Sequence, residues 1–112
     1  MNNNEHVSDQ VFHVLITLVD GPRHGYGILQ EVENRTSGEL KLGTSTLYSA
    51  IGRMRARGWV ERVELSDSDD PRRKYYGLTE AGRSLIQAEA RRLANLVEYA
   101  RAKDLLGSAT EA

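Results

Sequence analysis

The chain has 112 residues, 39% of them hydrophobic and 28% charged, with a formal net charge of −1. That is the size of one folding unit around one core, and the composition is globular rather than disordered. The absence of cysteine excludes disulfide staples, thiolate metal sites and cysteine nucleophiles, and fits a cytoplasmic location.

The longest apolar run, Val14 to Val19, is broken by Thr17 and falls far short of the roughly 20 residues needed to span a membrane. The N-terminus lacks the basic region of a secretory signal, so export is not expected. Residues 1–7 are polar and read as a frayed tail. Ser8 is a predicted helix cap, and Val11, Val14, Leu15, Leu18 and Val19 follow the i, i+3, i+4, i+7 spacing of one buried stripe. This first helix is expected to end at Asp20, where Gly21-Pro22 forces a turn.

From His24, the run HGYGILQEVENRTSG places Ile28, Leu29 and Val32 on one face of a short second helix that stops near Ser37-Gly38. Thr44 or Ser45 is the expected cap of a third helix, with Leu47, Ala50, Ile51 and Met54 facing the core and Gly58 as its stop. The period then changes to two. Val60, Val63 and Leu65, and after the turn-rich SDSDDPRR also Tyr75, Tyr76 and Leu78, predict a two-stranded hairpin.

Thr79 then caps a last helix carrying Leu85, Ile86, Leu93, Leu96, Val97 and Ala100. Run to Leu106, it would be about 40 Å long at ~1.5 Å per residue. Three short helices and a hairpin cannot cover such a stripe, so its outer half calls for another chain. The expected fold class is mainly α with a small β-hairpin: a winged helix-turn-helix over 8–79, a C-terminal dimerisation helix over 80–106, and a second tail over 107–112.

Charge is segregated along the chain. No acid lies between Glu39 and Glu61, where Lys41, Arg53, Arg55 and Arg57 all fall, and Arg72, Arg73 and Lys74 form a second basic cluster. A polyanion-binding face requires such segregation. His6, His13 and His24 share no metal-ligand spacing, Asp67 and Asp69 do not complete a calcium loop, and no phosphate loop or activated nucleophile is visible. Neither an enzyme nor a cofactor is expected.

Three blocks carry a resemblance: GPRHGYGILQEVE (Gly21 to Glu33), TLYSAIGRMRARGWVE (Thr46 to Glu61) and PRRKYYGLTEAGR (Pro71 to Arg83). In order and spacing the chain resembles the PadR-like transcriptional regulators, specifically the short subgroup with one helix after the wing. Departures are Leu42-Gly43-Thr44 where a proline-glycine commonly precedes the threonine, and Ser49 where proline is common. They bear on the preferred operator more than on the fold.

The resemblance implies a homodimeric repressor of an inverted-repeat operator in double-stranded DNA. Pairing would run through Ile86, Leu93, Leu96, Val97 and Ala100 of the last helix, with help from Val11 and Leu15 of the first. Some members release DNA when a small aromatic or cationic effector binds. Here the last helix offers Tyr99 and no tryptophan, which weakens the case for a flat aromatic ligand.

The candidate DNA contacts follow. Thr44, Ser45 and Thr46 bring hydroxyls and backbone N–H groups to a helix start, and Tyr48 and Ser49 follow one turn in. Arg53 can reach a phosphate or a guanine, whereas Arg55 and Arg57 suit the helix C-terminus. Arg72, Arg73 and Lys74 form the basic side of the wing, with Asp67, Asp69 and Asp70 on the other side. One of Tyr75 and Tyr76 packs inward and the other meets phosphate, with Tyr75 as the candidate contact. His24 and Tyr26 touch the backbone from the start of the second helix, or His24 caps that helix, and Gly25 and Gly27 signal close backbone approach. The rival reading is a winged helix that docks an acidic protein partner without a preferred duplex.

Overall fold

The structure is a computed structural model and describes residues 7–65 and 73–107. The element order is α1 (Asp9–Thr17), β1 (Arg23–His24), α2 (Gly25–Arg35), α3 (Thr44–Ala56), β2 (Val60–Val63), β3 (Tyr75–Leu78) and α4 (Glu80–Ala102). Mostly helical with a small antiparallel sheet, it is the winged helix with one long C-terminal helix that the periodicity predicts. The tails at 1–6 and 108–112, the acidic turn with Asp67, Asp69 and Asp70, and Arg72 lie outside the described residues.

The sheet has three strands rather than two, in the order β1-β3-β2, all antiparallel. Arg23 pairs with Tyr76 and His24 with Tyr75 on one edge of β3, while Val60 to Val63 pair with Leu78 to Tyr75 on the other. A two-residue strand has too few side chains to show a period, so β1 is invisible in the sequence and exists because β3 offers it an edge.

Each helix end has an identifiable cause. The Ser8 hydroxyl accepts from the Val11 amide at 3.2 Å and caps α1, which stops at Thr17, three residues short of the expected Asp20. The carbonyls at and just beyond its end are taken by arginines: Arg23 Nε donates to Thr17 O and Arg83 to Val19 O. The expected hydroxyl cap of α3 is absent, for Gly43 holds the N-cap position with no side-chain bond and leaves Thr44 and Ser45 exposed in the first turn.

At the other end of α3, Gly58 N–H donates to Arg55 O and Trp59 N–H to Met54 O, with Gly58 at φ +81°. This paired closure needs a left-handed residue, which glycine adopts without strain. Helix α4 closes the same way on Asp104 at φ 59°, so it ends at Ala102 rather than Leu106 and its 23 residues span about 35 Å. Aspartate tolerates this conformation better than most side chains, which is why a stop occurs where no glycine announces one.

The core joins Val14, Leu15 and Leu18 of α1, Ile28 and Val32 of α2, Leu47, Ile51 and Met54 of α3, Val60, Tyr76 and Ile86. Leu15 and Ile86, expected at a dimer interface, are 0% and 5% exposed and are spent inside the protomer. They sit on the stripes that α1 and α4 turn toward the shared core, and periodicity alone cannot say which neighbour covers a stripe. Glu89 is also buried, and Arg92 grips both its carboxylate oxygens at 3.1 and 2.5 Å, as a buried charge demands.

A close junction joins the end of α3 to the start of α4. Thr79 N–H donates to Trp59 O at 3.0 Å, and Thr79 Oγ1 donates to Gly58 O at 2.6 Å while accepting from Gly82 N at 3.0 Å. A Cβ on Gly82 would overlap the Trp59 carbonyl oxygen. Gly82→Ala is therefore expected to destabilise the fold by roughly 2 kcal/mol, the cost of overpacking against backbone. In thermal denaturation that is a midpoint lowered by about 8–16 °C for a chain of this size.

Candidate nucleic-acid interface

The buried stripe of α3 fixes what the helix can present. At ~100° per residue, Leu47, Ala50, Ile51 and Met54 face inward, which turns Ser45, Ser49 and Gly52 directly outward. Tyr48 lies on one flank, toward α2 and the sheet, while Thr46 and Arg53 lie on the other. The exposed face of α3 is thus small and polar at its centre, with longer side chains at its edges.

On the Tyr48 flank, α2, α3 and β3 enclose an open cleft of about 470 Å³. The start of α2 contributes His24, Gly25 and Tyr26; Tyr48 comes from α3; Arg73, Lys74 and Tyr76 come from the wing side. Two bases, an imidazole and three tyrosines line it, with no carboxylate among the described residues. Tyr48 lies against bare backbone at Gly25, where a Cβ would run into its hydroxyl and displace the ring. The Tyr48 ring meets that of Tyr76 edge-on, with centroids 6.4 Å apart.

The tyrosine pair is resolved by the sheet: Tyr76 is 4% exposed and Tyr75 is half-buried on the opposite face. Burial, and next the neighbouring Tyr48, push the Tyr76 hydroxyl above the ordinary tyrosine range and keep it protonated. Tyr75 packs edge-on against His24, with centroids 5.4 Å apart, so its ring steadies the histidine.

His24 is the N-cap of α2, and its Nδ1 accepts from the Gly27 amide at 3.1 Å. Its Nε2 lies 2.8 Å from a guanidinium nitrogen of Arg73. Burial, and then the Arg73 charge, hold its pKa below the usual 6.5. Tyr26 is 61% exposed at the mouth of the cleft, its hydroxyl accepting from Gln30 Nε2 at 3.3 Å.

Of the predicted contact residues, the structure brings His24, Tyr26, Tyr48, Arg73 and Lys74 around one cleft, with Tyr75 behind His24. Thr44, Ser45 and Ser49 continue the same surface along α3. Arg53 stands apart, on a smaller cavity of about 170 Å³ that it lines with Val11, Met54, Arg57 and Trp59. There the Arg57 guanidinium stacks 5.2 Å from the centroid of the half-buried Trp59 ring. Tyr76 was not among the predicted contact residues, because alternation reveals that one tyrosine of the pair turns inward but not which.

An exposed third helix, a preceding helix whose start it meets, and a strand pair flanking both define a winged helix-turn-helix protein. Residues 14–88 match the model of the transcriptional regulator PadR-like family. The chain belongs to that family, whose members are transcriptional regulators and not enzymes.

It is 38% identical over 89 residues to a 37.1 kDa protein of the Streptomyces fradiae transposon TN4556, a match over 80% of this chain and 24% of that protein. The chain thus spans about a quarter of that relative's length. A PadR-like transcriptional regulator from Bacillus cereus superposes with TM-score 0.73 at 17% identity, over 88% of this chain and 92% of that one. Bacillus subtilis PadR, in complex with operator DNA, superposes with TM-score 0.62 at 17% identity, over 72% of this chain and 46% of that one.

The histidine cap carries a pH dependence. Because the folded-state pKa of His24 is lowered, the unfolded chain binds the extra proton more readily. Its contribution to stability is complete above about pH 6.5 and is lost as pH falls toward the folded value. His24→Asn, which caps without titrating, is expected to remove this component. The thermal midpoint of the parent, measured from about pH 7.5 to about pH 5.5, should fall relative to that of His24→Asn on acidification, so that the two separate.

Proposed function

We propose that this regulator acts by binding double-stranded DNA in the cytoplasm, as a homodimeric repressor of an inverted-repeat operator. The observation that carries the reading is the convergence of the outward face of α3 with the basic cleft beside it, which no carboxylate among the described residues lines. Helix α3 enters the major groove with Ser45, Ser49 and Gly52 leading, where small side chains allow close approach, and Thr44, Thr46 and Tyr48 lie beside them. Arg73 and Lys74, with His24 and Tyr26, take the backbone on the Tyr48 side; Arg53 takes it on the other. The Bacillus subtilis relative bound to operator DNA has the same fold, which supports this docking mode.

Pairing of two protomers follows from α4. Its first half is covered by its own chain through Gly82, Ile86 and Glu89, whereas Leu93, Leu96 and Val97 are 36%, 48% and 42% exposed. With Ala100 they form an i, i+3, i+4, i+7 stripe, and Tyr99, Leu105 and Leu106 extend the apolar surface. A second copy of α4 covers this stripe, with Val11 at its margin. Two α3 helices then meet half-sites one helical turn apart or a multiple of it, roughly 34–36 Å per turn. A small-molecule effector that changes the angle between protomers breaks this match and releases the operator.

Selection of bound duplexes from a random pool at near-physiological salt tests the reading, with an enriched inverted repeat as the expected outcome. No enrichment by a folded dimer would sink it in favour of a protein-docking winged helix. Arg73→Glu is expected to lower affinity for the selected duplex about tenfold or more and to flatten its salt dependence by roughly one to two counterions. For the dimer, Leu96→Glu combined with Val97→Glu should yield a monomer in sedimentation at micromolar concentration; an unchanged dimer would refute the α4 stripe.

A further inference from the structure

His24 has a donor on each side. The Gly27 amide points at Nδ1 from 3.1 Å, and a guanidinium nitrogen of Arg73 lies 2.8 Å from Nε2. A neutral imidazole has one lone pair, so only one of these contacts can be a hydrogen bond. The Gly27 amide is fixed in the first turn of α2, whereas Arg73 is exposed and its five N–H groups can turn elsewhere.

The lone pair therefore stays on Nδ1 and the proton on Nε2. With Nε2 protonated, the guanidinium N–H that points at it turns aside, which leaves two donors next to each other on the cleft wall with no carboxylate among the described cleft residues to bridge them. The Lys74 ammonium faces the same cleft, and no carboxylate among the described residues lines it.

An oxyanion answers both demands, because its oxygens accept from the two donors and its charge offsets Arg73 and Lys74. We infer that neutral His24, through Nε2–H, and Arg73, through its guanidinium, form a two-pronged seat for one phosphate of the DNA backbone. The helix cap is what makes the seat, since the bond to Gly27 dictates which ring nitrogen carries the proton. His24 thereby holds α2 with one nitrogen and the ligand with the other. The assignment of the phosphate to DNA rests on the reading above; the donor geometry does not.

The test uses the full chain. Long-range proton–nitrogen spectra of the His24 ring are expected to place the proton on Nε2 in the free protein, and a proton on Nδ1 would overturn the seat. His24→Asp retains the cap and puts a carboxylate where the phosphate sits. It is expected to melt no lower than the parent at about pH 7.5 yet bind the selected duplex about tenfold more weakly. His24→Asn, whose amide both accepts and donates, should stay within about threefold of the parent. Parent-like duplex binding by His24→Asp would discard the proposal.

Inorganic phosphate, exchanged for chloride at constant ionic strength, separates the sources. A shifted His24 resonance shows a seat open to free phosphate. An unmoved resonance, together with the His24→Asp loss, assigns the seat to duplex phosphate alone. If the parent binds no duplex, the DNA reading fails by itself. The phosphate titration then decides the seat, a His24 shift sustaining it and no shift ending it.

Discussion

The corner at which Thr79 binds back onto Gly58 and Trp59 is the constraint on which the rest of the molecule depends. It locks the end of α3 to the start of α4 through two backbone carbonyls, one hydroxyl and a glycine that leaves no room for a Cβ. Each hydrogen bond contributes about 1 kcal/mol net, but the steric fit is what removes alternative helix directions. The helix proposed to read DNA and the helix proposed to pair protomers are therefore one rigid angle. In the dimer, half-site spacing would be set at this corner as much as at the α4 stripe.

Strand β3 performs the second organising task. Being central, it draws β1, and with it His24 and the start of α2, to one edge while β2 occupies the other. That pairing brings His24 beside Tyr75, brings Arg73 within reach of the imidazole, and sets Tyr76 beneath Tyr48. The cleft is thus assembled from residues 24 to 76 by backbone pairing, and its aromatic walls give the basic groups a rigid setting. The pieces are locally ordinary: a histidine cap, an exposed arginine and a glycine. Their conflict over one lone pair arises only when they are brought together.

Division of labour along α4 follows from length. A helix of about 35 Å is longer than the domain it packs against, so Gly82, Ile86 and Glu89 are covered and the stripe from Leu93 onward is not. The buried Glu89, held by Arg92, sits near the boundary between the two regimes. Beyond it the apolar spacing continues without a protein surface of its own chain to receive it.

Most of the fold was legible in the sequence because it rests on local rules. Ser8 and Thr79 cap the helices they precede, Gly58 closes α3, and the change of period from helical to two marks where helix gives way to strand. The basic cluster seen in the sequence also stays together in the fold, since Arg73 and Lys74 line one cleft. What tertiary structure decided was every question of which neighbour a residue meets. Leu15 and Ile86 went to the core, Tyr76 rather than Tyr75 turned inward, Arg53 and Tyr48 parted to opposite flanks, and a strand too short to show a period formed on an edge supplied by β3. The sequence by itself determined the elements, because caps, glycines and periodicity act within a few residues. Only packing decided the site, because its members lie up to some fifty residues apart and nothing local encodes their meeting.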